Sequence, residues 1–282
     1  MSKDRIPYFV VEAIKHALNE DVGSGDITTG LTIDPLSISS AYAIAKEDLI
    51  LAGVPFFMKV FELMDSSISV FPIEQEGRLV KKGTDILTVE GKTASILTGE
   101  RLALNIVQRL SGIATLTHRF KEAVTGLPVK IVDTRKTTPN MRYMEKYAVR
   151  IGGGANHRFG LYDGVLIKDN HIKAAGSIAL AVSKLNAVPL LTKVEVEVGT
   201  LEDVKAALDE KVDVIMLDNM SLDMMKEAVA LIRKTGQGVL VEASGNVRLE
   251  NVRQIAETGV DIISIGYLTH SAVAADISLK IR

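Results

Sequence analysis

Charged side chains in this sequence gather where short apolar runs stop. After "VKIV" come Asp133, Arg135 and Lys136; His157 and Arg158 precede "GVLI", and Lys168, Asp169, Asn170 and His171 follow it. The run "KVEVEV" (193–198) carries Glu195 and Glu197, and "VDVIMLD" (212–218) ends in Asp218 before Asn219. "GVLVEAS" (238–244) carries Glu242 and ends in Ser244 before Gly245, and "VDIISIG" (260–266) ends in Gly266. Cations thus mark the first two runs, acids the next two, and small turn residues the last two. Arg suits planar carboxylates because its fork donates two parallel hydrogen bonds, whereas Lys supplies a compact charge. Carboxylates on adjacent strands suit Mg²⁺, a hard ion that takes few protein ligands and keeps waters and substrate oxygens. Small residues let backbone N–H groups approach a phosphate at a helix N-terminus. The set predicts a ligand with several negative charges, part of it carried through a metal.

Each member also has a plain structural reading. An Arg-Lys pair after a strand is often a solvated loop, and His157 beside three glycines fits a turn. Alternation places Glu195 and Glu197 on one face, which could be the solvent side of an edge strand. Asp218-Asn219 could cap a helix, Ser244-Gly245 could be a left-handed turn, and Gly266 a tight corner. "EDVGSGDITTG" looks like a cation loop, but its spacing does not fit an EF-hand, and a structural turn is the preferred reading. The combination outweighs its members because all would fall on one end of one barrel.

That barrel is read from alternation. The six β-branched runs recur every 20 to 35 residues, separated by stretches of helical spacing such as "LEDVKAALDEK" and "LENVRQIAETG". Such alternation implies βαβ units and a parallel sheet. Six units fall short of eight, so the fold class is α/β, an incomplete, open α/β barrel whose ligands bind at the carboxyl ends of its strands. A doubly wound open sheet is the alternative, disfavoured because no glycine fingerprint follows the first strand. Residues 1–112 read as an N-terminal α+β domain: a helix over about 7–19, short strands near "SAYAIAKEDLILAG", "SISVFPI" and "DILTVEG", then a long helix from "SILTGERLALN". Residues 113–269 read as the barrel, with 270–282 a candidate to return to the first domain.

Composition narrows the function classes. A net charge of -2 gives no global reason to bind nucleic acid or an acidic membrane, and 5% aromatic residues without Trp leave little for a stacking platform. The absence of Cys excludes disulfides, thiolate catalysis and zinc–thiolate sites. No apolar run approaches the roughly 20 residues that cross a bilayer, and "MSKDRIPYFVVEAIKHALNED" lacks an apolar signal core. A cytoplasmic protein is the expectation.

The stretch "DTRKTTPNMRYMEKYAVRIGGGANHRFGLYDGVLIKDNHI" (133–172) strongly resembles the signature of the quinolinate phosphoribosyltransferase family. The likeness extends through "NEDVGSGDITT", "GERLALNIVQRLSGIAT", "KVEVEV", "IMLDN", "VEASG" and "TGVDIISIGYLTHS", and so covers most of the chain. The resemblance implies a sandwich-like N-terminal domain beside an open barrel, in a homodimer or higher homo-oligomer whose subunits share active sites. It implies phosphoribosyl transfer from 5-phosphoribosyl 1-diphosphate to quinolinate, with Mg²⁺, releasing pyrophosphate and CO₂ and leaving nicotinate mononucleotide. Carried onto this sequence, Arg135, Lys136, His157, Arg158 and Lys168 form a pocket for two carboxylates, and Arg101 enters from the partner subunit. Glu197 and Asp218 hold the Mg²⁺–diphosphate end. Ser244, Gly245 and Gly266 cradle the 5-phosphate, with His270 nearby. Lys136, Lys168, Glu197 and Asp218 are the residues expected to act in catalysis.

Three positions depart from the family pattern: Ala155 where His is common, Asn246 where a second Gly is common, and Gly199 where an acid often stands. Three rival readings remain. A related branch linked to molybdenum utilisation lacks the "LIKDNH" run. A class I aldolase-like enzyme would form a Schiff base on Lys168, leaving the other charges idle. A non-catalytic phosphosugar-binding protein would bind the diphosphate sugar and turn nothing over.

Overall fold

The computed structural model describes residues 6–185 and 187–282. The first helix, α1 (Tyr8–Val22), buries Val10, Ile14 and Leu18, one residue per turn and therefore one face. It stops at Gly23, whose left-handed φ of 52° ends the helix without a Cβ clash. Asp26 then caps α2 (Ile27–Thr32), accepting from Thr29 N at 2.9 Å. The segment "EDVGSGDITTG" is thus a helix end, a turn and a helix start.

The strands β1 (Ile38–Ala45) and β2 (Leu49–Ile50) are followed by α3 (Val54–Met64), in a stretch to which the sequence reading assigns no element. There Val54, Phe56, Phe57, Val60 and Phe61 are buried, with Pro55 in the first turn where its missing N–H costs nothing. Next come β3 (Ser69–Pro72), β4 (Leu79–Val80), β5 (Asp85–Lys92) and the long helix α4 (Thr93–Ala123). β6 (Lys130–Val132), α5 (Arg142–Ile151), β7 (Val165–Ile167), α6 (Asp169–Ala175) and α7 (Ile178–Ser183) follow. The regular part runs β8 (Val194–Val198), α8 (Leu201–Asp209), β9 (Val214–Asp218), α9 (Leu222–Lys234), β10 (Leu240–Ser244), α10 (Val252–Ala256) and β11 (Ile262–Ser264). The short α11 (Tyr267–His270) and β12 (Ile277–Ile281) close the sequence of elements.

Two compact units result. One takes residues up to 118, 137–153 and 269–282; the other takes 119–136 and 154–268. The first holds a four-stranded sheet of order β12-β1-β5-β3, in which β12 lies antiparallel to β1 with Ala41 opposite Ile281. The second holds six strands, all parallel, in the order β6-β11-β10-β9-β8-β7. β6 and β7 are its two edges and do not pair, so the barrel is open, as six units require.

The units cut the chain differently from the expected boundary at 112/113, because α5 belongs with the first unit. Met144, Glu145, Lys146, Ala148 and Val149 of α5 are buried. Phe56 meets Tyr143 and Tyr147 edge-on at centroid distances of 6.4 and 5.1 Å, and the Tyr147 hydroxyl donates to Glu76. Gly152, just past α5, has no room for a Cβ, which would stand 2.4 Å from the Ala114 carbonyl.

Glu145 is fully buried and would be costly to charge alone. Arg109 on α4 pairs with it at 2.9 Å, and Thr138 donates its N–H at 3.1 Å and its hydroxyl at 2.8 Å. Arg109 also donates to the Thr269 carbonyl and, at 2.6 Å, to that of Ala272. One guanidinium therefore ties α4, α5 and the chain's last segment together. Arg109→Met should lower unfolding stability by about 3 kcal/mol, since it strands a buried carboxylate; a urea titration with an unchanged midpoint would refute this.

Candidate active site

Within the second unit, a cavity of about 420 Å³ opens at the carboxyl ends of the parallel strands. Its walls are Thr134, Arg135 and Lys136 after β6, Lys168 after β7, Glu197 on β8, and Asp218 and Asn219 at the end of β9. Ser244, Gly245 and Asn246 follow β10, and Ser264 ends β11. His157, Arg158 and Glu242, with the apolar Leu166 and Met216, complete it. The parallel register places Ser244 beside Asp218, so these chemical groups come to one rim because their strands end level.

The positive side is built first by Asp133. Fully buried at the end of β6, its carboxylate accepts from Asn156 Nδ2 at 2.5 Å and from the His157 N–H at 3.0 Å. It thereby fastens the "ANHR" loop beside the loop carrying Arg135 and Lys136. An isolated parallel bridge between Val132 and Ala155 holds the same pair of segments. Arg158 donates to the Gly164 carbonyl at 2.9 Å. Burial, and then the neighbouring Arg135 guanidinium, lower the Arg158 pKa, whereas Glu195 opposes that shift.

His157 belongs to the floor rather than to a turn. Its Nε2 lies 3.0 Å from Glu195 and 3.4 Å from Glu242, two carboxylates that are 6% and 1% exposed. β8 is paired on both sides, so Glu195 faces the barrel interior and not the solvent side of an edge. Burial works against a charged imidazole, but the hydrogen bonds to Glu195 and Glu242 outweigh it and push the His157 pKa up to about 10. Burial in turn raises Glu195, partly offset by His157 and reinforced by the charge on Glu242. The Arg158 N–H lies 2.8 Å from His157 Nδ1, a contact that works against the charged ring and, in the neutral ring, places the proton on Nε2. In the neutral or the cationic form, Nε2 bears a proton. The trio is geometrically compact enough for a metal ion, which would have to displace that proton to bind. A second cavity, of about 400 Å³, reaches this floor from the side of the strand starts at Val165, Lys193, Val214 and Ile262.

The acidic side carries Glu197 and Asp218. Lys168 Nζ donates to Glu197 at 2.7 Å. Burial raises the Asp218 pKa; the Asn219 amide lowers it, and the Glu197 charge raises it further. Asp218 does not cap α9, a role taken by Ser221, whose hydroxyl accepts from Met224 N. Two oxygen donors of like charge on adjacent strands fit a hard divalent cation. Gly245 is left-handed at φ 93°, and a Cβ there would stand 2.2 Å from Asn219 Oδ1. Here glycine is required by both backbone and neighbour.

Of the expected residues, Arg135, Lys136, His157, Arg158, Lys168, Glu197, Asp218, Ser244 and Gly245 line one cavity. Gly266 lies between β11 and α11, outside the lining residues and without a left-handed backbone. Arg101 is exposed on α4, and His270 ends α11 beside Ser271; both belong to the first unit. Glu242 and Asn219, which the sequence marks only as strand-end residues, and Asn246, which it marks only as a departure from the family pattern, line the same cavity.

Two family models match the chain: "Quinolinate phosphoribosyl transferase, C-terminal domain" over residues 113–280, and the corresponding N-terminal domain over 26–111. A protein of Arabidopsis thaliana named nicotinate-nucleotide pyrophosphorylase (carboxylating), chloroplastic, is 45% identical, over 97% of this chain and 83% of its own. A Nicotiana tabacum protein named quinolinate phosphoribosyltransferase (decarboxylating) 2b, mitochondrial, is 44% identical, with 97% and 82% covered. The solved nicotinate-nucleotide pyrophosphorylase of Francisella tularensis superposes with a TM-score of 0.93 at 39% identity, covering 99% of this chain and 98% of that one.

The floor has a pH signature. A His raised from 6.5 to about 10 on folding adds stability that is fully present below pH 6.5 and is lost as pH climbs through 10. His157→Gln should therefore flatten the fall of Tm between pH 6.5 and 10. Parallel wild-type and variant curves in thermal melts across that range would overturn the assignment.

Proposed function

The chain belongs to the quinolinate phosphoribosyltransferase family, and from that membership and its cavity we propose how it joins quinolinate to 5-phosphoribosyl 1-diphosphate. The reaction gives nicotinate mononucleotide, CO₂ and pyrophosphate, a step of NAD biosynthesis. The observation that carries the assignment of roles is the segregation of charge around one 420 Å³ cavity, cations in the segments after β6 and β7 and acids on β8 and β9.

Arg135, Lys136, Arg158 and Lys168 bind the two carboxylates of quinolinate, with His157 beneath them. Held there, the pyridine nitrogen is presented to the anomeric carbon of the ribose, and positioning supplies much of the rate. As the nitrogen–carbon bond forms, the bond to pyrophosphate breaks and the ring becomes cationic. Loss of the 2-carboxylate as CO₂ then leaves an electron pair on C2, which a proton from solvent quenches. The fixed cations stabilise that carbanion-like centre electrostatically. Glu197 and Asp218 would hold Mg²⁺, which would supply charge neutralisation at the diphosphate end when bound. Ser244 and Gly245 take the 5-phosphate, with Gly266 and His270 assigned to the same end by family likeness.

We assign the working form as a homo-oligomer, at least a dimer, with Arg101 entering the partner's site. A surface of the first unit supports this reading. Beside Arg101 on α4, Leu102, Asn105 and Ile106 line an 810 Å³ groove with Tyr8 and Phe9, which are 77% and 56% exposed. No helix among the described residues is long and apolar enough to cross a membrane. A cytoplasmic setting is part of the proposal, because 5-phosphoribosyl 1-diphosphate is too highly charged to cross a bilayer unaided.

Supplied with Mg²⁺ and 5-phosphoribosyl 1-diphosphate, the protein should form nicotinate mononucleotide from quinolinate and none from nicotinate. Lys136→Ala and Arg158→Ala should each cut kcat/KM by at least a hundredfold while the far-ultraviolet circular dichroism is preserved. Near-wild-type turnover in both variants would sink the assignment of the pocket, and product from nicotinate alone would reverse the two-carboxylate reading.

A further inference from the structure

Between the acidic side of the cavity and the turn after β10 runs a chain of side-chain amides. Asn219 Nδ2 donates to Asp218 Oδ2 at 2.8 Å, and Asn246 Nδ2 donates to Asn219 Oδ1 at 3.0 Å. The backbone repeats the link, since the Asn219 N–H donates to the Ser244 carbonyl at 3.0 Å. Both asparagines hold left-handed backbones, φ 54° and 49°, which Asn tolerates better than most residues with a Cβ. Gly245 lies under the Asn219 side chain with no space for a methyl group. Asp218, Asn219, Ser244, Gly245 and Asn246 all line the one cavity. Asn246 is itself anchored from behind, where its carbonyl accepts from Asn251 Nδ2 at 3.1 Å.

Such an arrangement does a particular job. Asn219 has both ends of its amide committed, so it can neither flip nor withdraw without breaking a bond to one neighbour. Asp218 is consequently held at a set distance from the turn that carries Ser244 and Gly245. We propose that Asn219 and Asn246 form a clasp that fixes the spacing between the carboxylate serving the diphosphate end and the turn serving the 5-phosphate end, making both positioning residues for the sugar substrate. This rests on the roles assigned above to Asp218, Ser244 and Gly245. The clasp selects a ligand bearing phosphate groups at both ends of one ribose, because only such a ligand feels the distance between the two subsites. Neither asparagine needs to change charge, and quinolinate, on the opposite wall, should be indifferent.

The test uses the protein as described and Asn246→Gly, which tolerates the left-handed turn and removes the side-chain amide. KM for 5-phosphoribosyl 1-diphosphate should rise about fivefold, the loss of one neutral hydrogen bond, while kcat and KM for quinolinate stay within twofold. Ribose 5-phosphate and pyrophosphate, titrated separately by calorimetry, should bind the variant as they bind wild type. A turn that was merely damaged would weaken ribose 5-phosphate as well, and that result would overturn the clasp. In an Asn219→Gly background, Asn246→Gly should add nothing further to KM for the sugar; additive effects would show that the two residues act apart. Failure of wild type to convert quinolinate would instead remove the functional reading beneath the proposal, whereas a working wild type with an unchanged KM in Asn246→Gly would refute the clasp alone.

Discussion

Cations cannot be crowded into a protein interior without something to hold them charged. In the second unit that constraint governs the rest. Arg135 and Arg158 stand close enough for burial and mutual repulsion to lower the Arg158 pKa. Glu195 and Glu242 lie beneath, buried, with His157 between them. A closed eight-stranded barrel fills its interior with branched apolar side chains. Here six strands leave the sheet open, and the centre is occupied by an ionic cluster whose acids offset its cations. The cluster raises His157 and shapes the floor at which the two cavities meet. An anion arriving from the strand ends meets positive charge whose desolvation has already been met by folding, which is what preorganisation means in electrostatic terms.

The first unit obeys the same rule on a smaller scale. Glu145 is fully buried, and its charge is admissible only because Arg109 and Thr138 surround it. Thr138 is two residues beyond Lys136 in the chain.

The six parallel strands and the rim they present were legible because a strand buried on both faces must be apolar and β-branched almost throughout. Departures from that rule, at Glu195, Glu197 and Asp218, marked chemistry. The open barrel was likewise legible by counting units. The helix Val54–Met64 was harder, since an aromatic-rich run with Pro55 near its start resembles a buried strand as much as a helix. Residues 137–153 lie between barrel strands in sequence, and nothing local announces that the helix within them packs elsewhere. The pairing of His157 with Glu195 and Glu242 joins three distant segments, so no spacing rule could reveal it. Asn246 looked like a mere departure from a family pattern. Its meaning came from Asn219, a neighbour in space and not in sequence.

The sheet of the first unit joins β1 to β12, with Ala41 opposite Ile281. During synthesis the ribosome delivers β1 long before its partner exists. At roughly 10 residues per second, the delay is on the order of tens of seconds. Over that interval β1 can pair only with β5, and one edge of a largely apolar strand stays open to whatever is nearby. The parallel sheet, contributed by residues from 119 onward, is emitted in the meantime and can close on its own contacts. Birth order and native order are thus reversed. The domain begun first is finished last, and molecular chaperones or a sister chain on the same message have their opportunity in the gap.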